Sequence, residues 1–128
     1  MNPLTQYLLI ALGGAAGSCA RFWIGSAVAS RYGSAFPWGT FVVNVSGSLV
    51  LGGFLALALG RVPIDPRWRF LIAIGFCGGY TTFSTLAYET AMLLEARALA
   101  YALANVVGSA VAGVLAVFGG AALARWLA

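Results

Sequence analysis

The stretch GFCGGYTTFST, residues 75–85, is the least helical part of an otherwise apolar segment. It contains three glycines, and five of the six residues from Tyr80 to Thr85 carry a hydroxyl group. Glycine is a poor helix former and threonine is β-branched, so both weaken an α-helix at this point. We expect the helix that contains this stretch to break near Gly78-Gly79. The alternative is an unbroken helix whose glycines allow a close contact with a neighbour.

The composition places this stretch inside a membrane. Of the 128 residues, 62% are hydrophobic and only 8% are charged, whereas a soluble domain carries about 25% charged residues. Four segments lack any Asp, Glu, Lys or Arg: Leu4–Ala20, Trp38–Gly60, Phe70–Tyr88 and Ala98–Ala124. Each is near the roughly 20 residues that cross a bilayer as a helix. The sequence therefore predicts one all-α transmembrane domain over residues 1–128, with helices at about residues 4–29, 37–59, 69–94 and 99–126.

The charged residues are expected to flank membrane helices, and they do not indicate a surface that binds nucleic acid. The net charge of +4 comes from arginines that lie near predicted helix ends, without any basic run. Four helices put both chain ends and the second loop on one side of the membrane. That side holds Arg61, Arg67, Arg69 and Arg125, and the other holds Arg31, Arg97 and, if it lies at the interface, Arg21. Such a weak positive-inside bias fits either one fixed topology or insertion both ways up.

The residues that most enzymes use are scarce in this chain. It has no histidine, and its three acids, Asp65, Glu89 and Glu95, are scattered along the sequence. Cys19 and Cys77 both fall inside apolar segments, where cysteine behaves as a small buried hydrophobe. A catalytic triad or a transition-metal centre has almost nothing to build from, so we expect no enzyme.

Three polar stripes cross the predicted helices. They consist of Thr40, Asn44 and Ser48, of the hydroxyl residues from Thr81 to Thr85, and of Tyr101, Asn105 and Ser109. Each such residue alone often only bonds its own backbone or a neighbouring helix. Together they share neutral hydrogen-bond donors, which suit a small anion, with Arg21 near the mouth of the path. A cation or proton path would more often show carboxylates.

A broken helix at membrane depth leaves backbone carbonyls without partners. Lipid cannot satisfy them, so they must be buried in protein or bind an ion. One chain exposes only a few such carbonyls. A second chain inserted the other way up would bring its own break to the same point, and the converging carbonyls could hold one cation.

These residues give the chain a resemblance to the Fluc/CrcB family of fluoride channels. Four matches follow in order along nearly the whole chain: GGAAGSCAR at 13–21, GTFVVNVSG at 39–47, GFCGGYTTFST at 75–85 and YALANVVGS at 101–109. The resemblance implies an antiparallel, dual-topology homodimer in a bacterial-type plasma membrane. It also implies two fluoride pores along the dimer interface and a central sodium ion, held by backbone carbonyls at the positions of Gly78 and Thr81.

The resemblance also assigns pore residues, with one departure from the family pattern. Asn44 corresponds to the pore asparagine of the second helix, and Phe83 to the first of two phenylalanines whose ring edges face fluoride. The other correspondences are Ser84 and Thr85 in the hydroxyl track, Arg21 at the end of the first helix and Tyr101 on the fourth. The second phenylalanine is replaced by Leu86, which has no positive ring edge for an anion. Asn105 occupies a variable position of the fourth helix.

Three other readings stay open at this point. A small multidrug-type exporter is also a compact four-helix dimer, but its proton coupling uses an acid in the first helix, where this chain has none. A lipid-modifying enzyme would need clustered acids or an activated nucleophile. A purely structural helix-packing protein explains the glycines and alanines but not the three polar stripes.

Overall fold

A computed structural model describes residues 1–60 and 63–128 of the chain. In these residues all regular structure is helical, and four helical spans are long and apolar enough to cross a membrane. We number the helices α1 (Pro3–Tyr32), α2 (Trp38–Ala58), α3 (66–80), α4 (Phe83–Glu95) and α5 (Leu99–Leu127). The predicted all-α fold with four membrane helices is confirmed, with α3 and α4 together forming the third span, Pro66–Glu95.

Local capping explains where the first and third spans begin and end. The Asn2 side chain accepts a hydrogen bond from the Leu4 backbone N–H at 3.0 Å, and Pro3 occupies the first helical position. The α1 helix ends at Gly33, whose φ of 81° is in the left-handed region that favours glycine. The Asp65 carboxylate accepts from the Arg67 N–H at 2.9 Å, which starts α3 earlier than residue 69.

The third span is broken, but not at the glycine pair. Gly78 has helical φ and ψ of −64° and −40°, whereas Thr81 and Thr82 are extended, with ψ of 157° and 117°. The glycines serve helix contact instead, because a Cβ at Gly79 would lie 2.9 Å from the Cα of Gly14 in α1. The break therefore falls three residues after Gly78, at two β-branched residues that favour extended backbone.

Two close helix contacts, α1 with α3 and α2 with α5, depend on glycine. Cβ atoms placed at Gly13 or Gly17 of α1 would collide with the backbone of α3. Likewise, Cβ atoms at Gly52 of α2 or Gly120 of α5 would collide with the backbone of the opposite helix. Such backbone approach is the usual way in which membrane helices associate, since lipid offers no hydrophobic drive between them.

The α3 and α5 helices each contain a π-helical stretch. These are Arg69–Cys77 in α3 and Ala104–Gly108 in α5. π-helical turns are rare and often lie at functional sites. In α3 the stretch leads directly into the last turn before the break. There Tyr80 is 5% exposed, stacks on Phe76 at 5.5 Å between ring centroids, and shares a 2.9 Å hydrogen bond with Ser46.

Candidate functional site at the helix break

The Asn44 side chain on α2 bonds the backbone at the break. Its Oδ1 accepts from the Thr82 N–H at 2.7 Å, and its Nδ2 donates to the Thr82 carbonyl at 3.0 Å. The amide therefore pairs with both the backbone donor and the backbone acceptor of one residue, Thr82. These bonds satisfy polar backbone groups that lipid cannot satisfy at this depth.

The α1 helix holds the other side of the break. The Arg21 Nε donates to the Gly79 carbonyl at 3.1 Å, and the Ser18 hydroxyl approaches the same oxygen at 3.4 Å. This carbonyl would normally accept from Phe83, four residues further along, but the helix is interrupted between them. A hydrogen bond from a charged donor to a carbonyl that lacks its helical partner is strong. Arg21 therefore stabilises the backbone at the break.

Thr82 starts the second half of the broken span. Its Oγ1 accepts from the Thr85 N–H at 3.2 Å, which is the usual N-cap arrangement. The same hydroxyl donates to the Thr85 Oγ1 at 3.0 Å. The N–H groups of Thr82 and Thr85 are thus diverted to side chains, away from the carbonyls of Gly78 and Thr81. Within the described residues, no hydrogen bond reaches those two carbonyl oxygens.

A cavity of about 490 Å³ lies beside the break, between α1, α2 and α4. Its lining includes the charged and hydroxyl-bearing residues Arg21, Thr40, Thr82, Thr85 and Glu89 and the aromatic residues Phe22, Phe36, Trp38 and Tyr88. It brings a cationic side chain and several hydroxyl groups to one space. Among the predicted site residues it unites Arg21, Thr40 and Thr85.

Glu89 also lines this cavity. The Thr40 hydroxyl donates to its Oε1 at 2.7 Å, and its buried Oε2 has no hydrogen-bond partner among the described residues. Glu89 follows Thr85 by four residues, which puts both side chains on one face of α4. That spacing is the sequence signal that would have placed this acid beside the hydroxyl track.

The side chains of Phe83 and Ser84 face away from the rest of the chain. The Phe83 side chain is 81% exposed, and Ser84 is also exposed, with a 3.5 Å contact to the Thr82 hydroxyl. At Gly78, an added Cβ would meet no described atom within 4 Å. The outer surface at the break therefore carries an aromatic ring, a hydroxyl group and open space over a glycine.

The polar stripe of α5 does not reach the cavity. Asn105 is fully buried and donates to the Thr90 hydroxyl at 3.0 Å, and that hydroxyl donates to the Leu86 carbonyl at 2.8 Å. The Ser109 hydroxyl is also buried, without a hydrogen-bond partner. Tyr101 is half-exposed and contacts Phe36 edge to face, with ring centroids 5.9 Å apart. Sequence spacing did not reveal Thr90 as the partner of Asn105.

Side chains that could hold a transition metal are not clustered in the described residues. The Thr81 hydroxyl donates to the Cys77 carbonyl at 2.8 Å. The backbone carbonyl of Thr81 is therefore the oxygen of this residue that has no partner among the described residues.

Four long apolar helical spans, one of them broken beside a polar cavity, define a compact multi-pass membrane protein. Comparison with known sequences gives the particular family. The family described as "CrcB-like protein, Camphor Resistance (CrcB)" matches residues 8–121. The chain belongs to the CrcB family.

Its relatives include three proteins named fluoride-specific ion channel FluC. The protein of Koribacter versatilis is 44% identical over 95% of this chain and 97% of its own length. The protein of Solibacter usitatus is 48% identical over 94% of this chain and 98% of its own length. The protein of Rhodospirillum rubrum is 47% identical over 82% of this chain and 83% of its own length. These relatives are ion channels by name, in agreement with the prediction that the chain is not an enzyme. The chain is a multi-pass protein of a bacterial-type membrane.

Proposed function

We propose that this chain forms a passive, fluoride-selective channel that exports cytoplasmic fluoride across the plasma membrane. The observation that carries the proposal is the cavity at the break, where Arg21 meets the hydroxyl groups of Thr40, Thr82 and Thr85. The relatives that cover nearly the whole chain carry the name of a fluoride channel. Neutral donors can replace the water of a small anion while binding it weakly enough for release.

The charge of the cavity supports an anion as the permeating species. Arg21 attracts an anion, yet its Nε is already bonded to the Gly79 carbonyl, which keeps the guanidinium at the wall. The one acid in the cavity, Glu89, has an oxygen bonded by the Thr40 hydroxyl. The Thr85 hydroxyl, which donates no hydrogen bond within the described residues, and the Arg21 guanidinium are donors that favour a small anion able to accept strong hydrogen bonds.

The functional unit in this proposal is an antiparallel, dual-topology homodimer with two pores at the interface. Its support is the outward-facing set of polar and aromatic groups at the break, since Phe83 is 81% exposed and Ser84 lies beside it. A partner subunit would cover this surface. Aromatic ring edges carry positive charge and can contact an anion there. Tyr101, which is half-exposed on α5, would line the path beside the partner, whereas Asn105 and Ser109, the other predicted pore residues of α5, are buried within their own chain.

A structural sodium ion at the centre of the dimer is the remaining part of the proposal. Gly78 and Thr81 would hold it through their carbonyl oxygens, because the N–H groups that would bond them are diverted to Asn44 and Thr82. Unwound carbonyls of broken helices are typical sodium ligands in membrane proteins. The ion would fix two breaks against each other and take no part in conduction.

Anion efflux from liposomes tests the function. Purified protein is reconstituted, and fluoride and chloride loss are followed side by side under a potassium-clamped voltage. We expect fast fluoride loss and no chloride loss. Equal rates for both anions would contradict the proposed selectivity. The absence of fluoride loss from a well-folded dimer would contradict the proposal that the protein is a fluoride channel.

A matched pair of phenylalanine variants tests the role of the exposed ring. Phe83→Leu is expected to lower fluoride flux while leaving the dimer intact, because leucine has no ring edge. Phe118→Leu removes a ring that is 70% exposed on α5, away from the break, and should leave flux unchanged. Normal flux in the Phe83 variant would exclude a ring-edge role.

A further inference from the structure

We propose that a groove between the ends of α2 and α5 binds one anionic phospholipid, with the lipid phosphate on the Arg125 guanidinium and an acyl chain along the two helices. The groove encloses about 730 Å³. Its described lining lies within residues 52–60 on the α2 side and 117–128 on the α5 side, and it is apolar apart from Arg125. The proposal concerns the binding of membrane lipid, so it goes beyond the channel function proposed above and does not depend on it.

Small residues form the floor of this groove and large residues form its rims. A Cβ at Gly52 would lie 2.7 Å from the Val117 Cα, so the backbones of α2 and α5 touch there. Gly52 is buried and Ala121 is half-buried. Leu59 and Phe118 are 82% and 70% exposed, so the groove opens on the outer surface of the helix pair. In a membrane, that outer apolar surface meets the acyl chains of lipid.

Two exposed tryptophans place Arg125 at the level of the lipid headgroups. Trp126 follows it directly and is 80% exposed, and Trp68, near the start of α3 at the same end of the protein, is 50% exposed. Tryptophan is enriched where a membrane meets water. Residues 52–60 extend about 12 Å at 1.5 Å per residue, and half of a hydrocarbon core is roughly 15 Å. The groove therefore runs from the headgroups through most of one leaflet.

The Arg125 guanidinium has donors for a phosphate. It lies in the last turn of α5 and is exposed. Within the described residues, the guanidinium that donates a hydrogen bond to another residue is that of Arg21, so the donors of Arg125 are free for a ligand. A guanidinium binds phosphate oxygens through two parallel N–H···O bonds. Arg125 can therefore hold the phosphate of a lipid whose chain lies in the groove.

The charge at this end of the protein favours an anionic headgroup. Arg67 and Arg69 are also exposed here. Acidic side chains are absent from the described lining of the groove. The Asp65 carboxylate, at the same end, accepts from the Arg67 N–H that starts α3. Because basic residues near the membrane surface attract anionic lipids, phosphatidylglycerol should bind better than zwitterionic phosphatidylcholine with the same acyl chains.

Thermal unfolding of the purified full-length protein in detergent tests the site. The unfolding midpoint is followed by tryptophan fluorescence with added phosphatidylglycerol, with phosphatidylcholine of the same chains, and with glycerol phosphate, which has no chain. Arg125→Gln is matched by Arg69→Gln, which changes an exposed arginine at the same end but outside the groove lining. Ala121→Phe fills the groove and is matched by Ala122→Phe, which changes an exposed neighbour outside the lining.

We expect phosphatidylglycerol to raise the wild-type midpoint by roughly 3–6 °C, and phosphatidylcholine by about half of that or less. Glycerol phosphate should leave the midpoint unchanged, because it has no acyl chain for the groove. The difference between the two lipids should disappear in Arg125→Gln and persist in Arg69→Gln. The response to phosphatidylglycerol should be lost in Ala121→Phe and retained in Ala122→Phe.

Several results would overturn the proposal. A wild-type midpoint that does not respond to phosphatidylglycerol would exclude the site, and an unchanged lipid preference in Arg125→Gln would exclude this arginine as the phosphate ligand. An unchanged response in Ala121→Phe would place the lipid elsewhere on the surface. Should that variant not fold, Ala121→Leu is a smaller filling that is judged by the same comparison.

A second copy of the chain is the other occupant that the variants can detect. If lipid-free Ala121→Phe shows a lower dimer fraction than Ala122→Phe on size-exclusion chromatography, the groove is a contact between chains and the lipid proposal is wrong. Equal dimer fractions are expected. Fluoride flux is not a readout here, so a protein that carries no fluoride would contradict the channel function alone.

Discussion

The contact between α1 and the end of α3 can be tested with one methyl group at Gly17. A Cβ at this position would lie 2.8 Å from the Tyr80 backbone nitrogen and 3.0 Å from the Phe76 carbonyl carbon. It would also overlap the Phe76 carbonyl oxygen. All these are backbone atoms, so no side chain can rotate away. The Gly17→Ala variant must separate the two helices just before the break.

The size of the effect follows from these distances. Restoring an ordinary contact to all three atoms, the overlapping carbonyl oxygen included, requires the helices to part by roughly 1 Å. Overpacking of this kind costs about 1–3 kcal/mol of stability. Arg21 lies one turn further along α1, and the same movement would lengthen its 3.1 Å bond to the Gly79 carbonyl beyond the hydrogen-bond range.

Gly14→Ala is the matched control. A Cβ at Gly14 would meet only the Gly75 carbonyl oxygen, at 3.8 Å, which is an ordinary contact. Both variants gain the same helix propensity from the change of glycine to alanine, so that gain cancels between them. The difference in stability therefore isolates the steric conflict at Gly17.

Thermal unfolding followed by tryptophan fluorescence and fluoride efflux from liposomes are the two assays. We expect the unfolding midpoint of Gly17→Ala to lie at least about 3 °C below that of Gly14→Ala. Its fluoride efflux should fall as well, while Gly14→Ala stays close to wild type. Equal midpoints and equal efflux would show that α1 does not contact α3 as closely as the structure has it, and the reasoning would fail.

Four further predictions follow from the same contacts. Gly120→Ala should destabilise the protein by about 1–3 kcal/mol relative to Gly119→Ala. Only the Cβ at Gly120 would meet the backbone of α2, 2.9 Å from the Gly53 nitrogen, and equal unfolding midpoints of the two variants would contradict the prediction. Glu89→Gln should raise fluoride flux by removing a negative charge from the cavity, and a lower flux would show that the carboxylate is needed. Leu86→Phe should maintain or raise flux, since it restores the ring that the family pattern has here; abolished flux would exclude a ring at this position. Sodium removal should lower the unfolding midpoint by mass action, and a midpoint independent of sodium would exclude the central ion.

Much of the fold could be predicted from the sequence, because membrane helices are determined by local composition. Uncharged segments near 20 residues long predicted the four spans, and the observed bounds differ from the predicted ones by at most three residues. The differences arise from caps such as Asn2 and Gly33, which are local but easily missed. The position of the break was harder. Glycine marked the region, but the extended backbone lies at Thr81 and Thr82, and the partner of the Thr82 N–H is Asn44, 38 residues away in sequence.

The polar stripes were only partly interpretable for a related reason. Residues spaced by four share one face of an α-helix, and this holds for Thr85 and Glu89 in α4. Tyr101 and Asn105 are also four apart, yet one is half-exposed and the other fully buried. Asn105 lies inside the π-helical stretch Ala104–Gly108, which turns the chain more slowly, so the spacing no longer defines a face. Periodicity alone does not reveal such a stretch.

The bonds at the break also separate what forms it from what an ion could add. Asn44 satisfies the Thr82 backbone, Arg21 satisfies the Gly79 carbonyl, and both side chains belong to the same subunit as the break. The carbonyls of Gly78 and Thr81 accept no hydrogen bond from the described residues, so they are the oxygens that a cation would find at the break. In the proposed dimer such a cation would join the breaks of two chains, and its removal would weaken the association of the two chains.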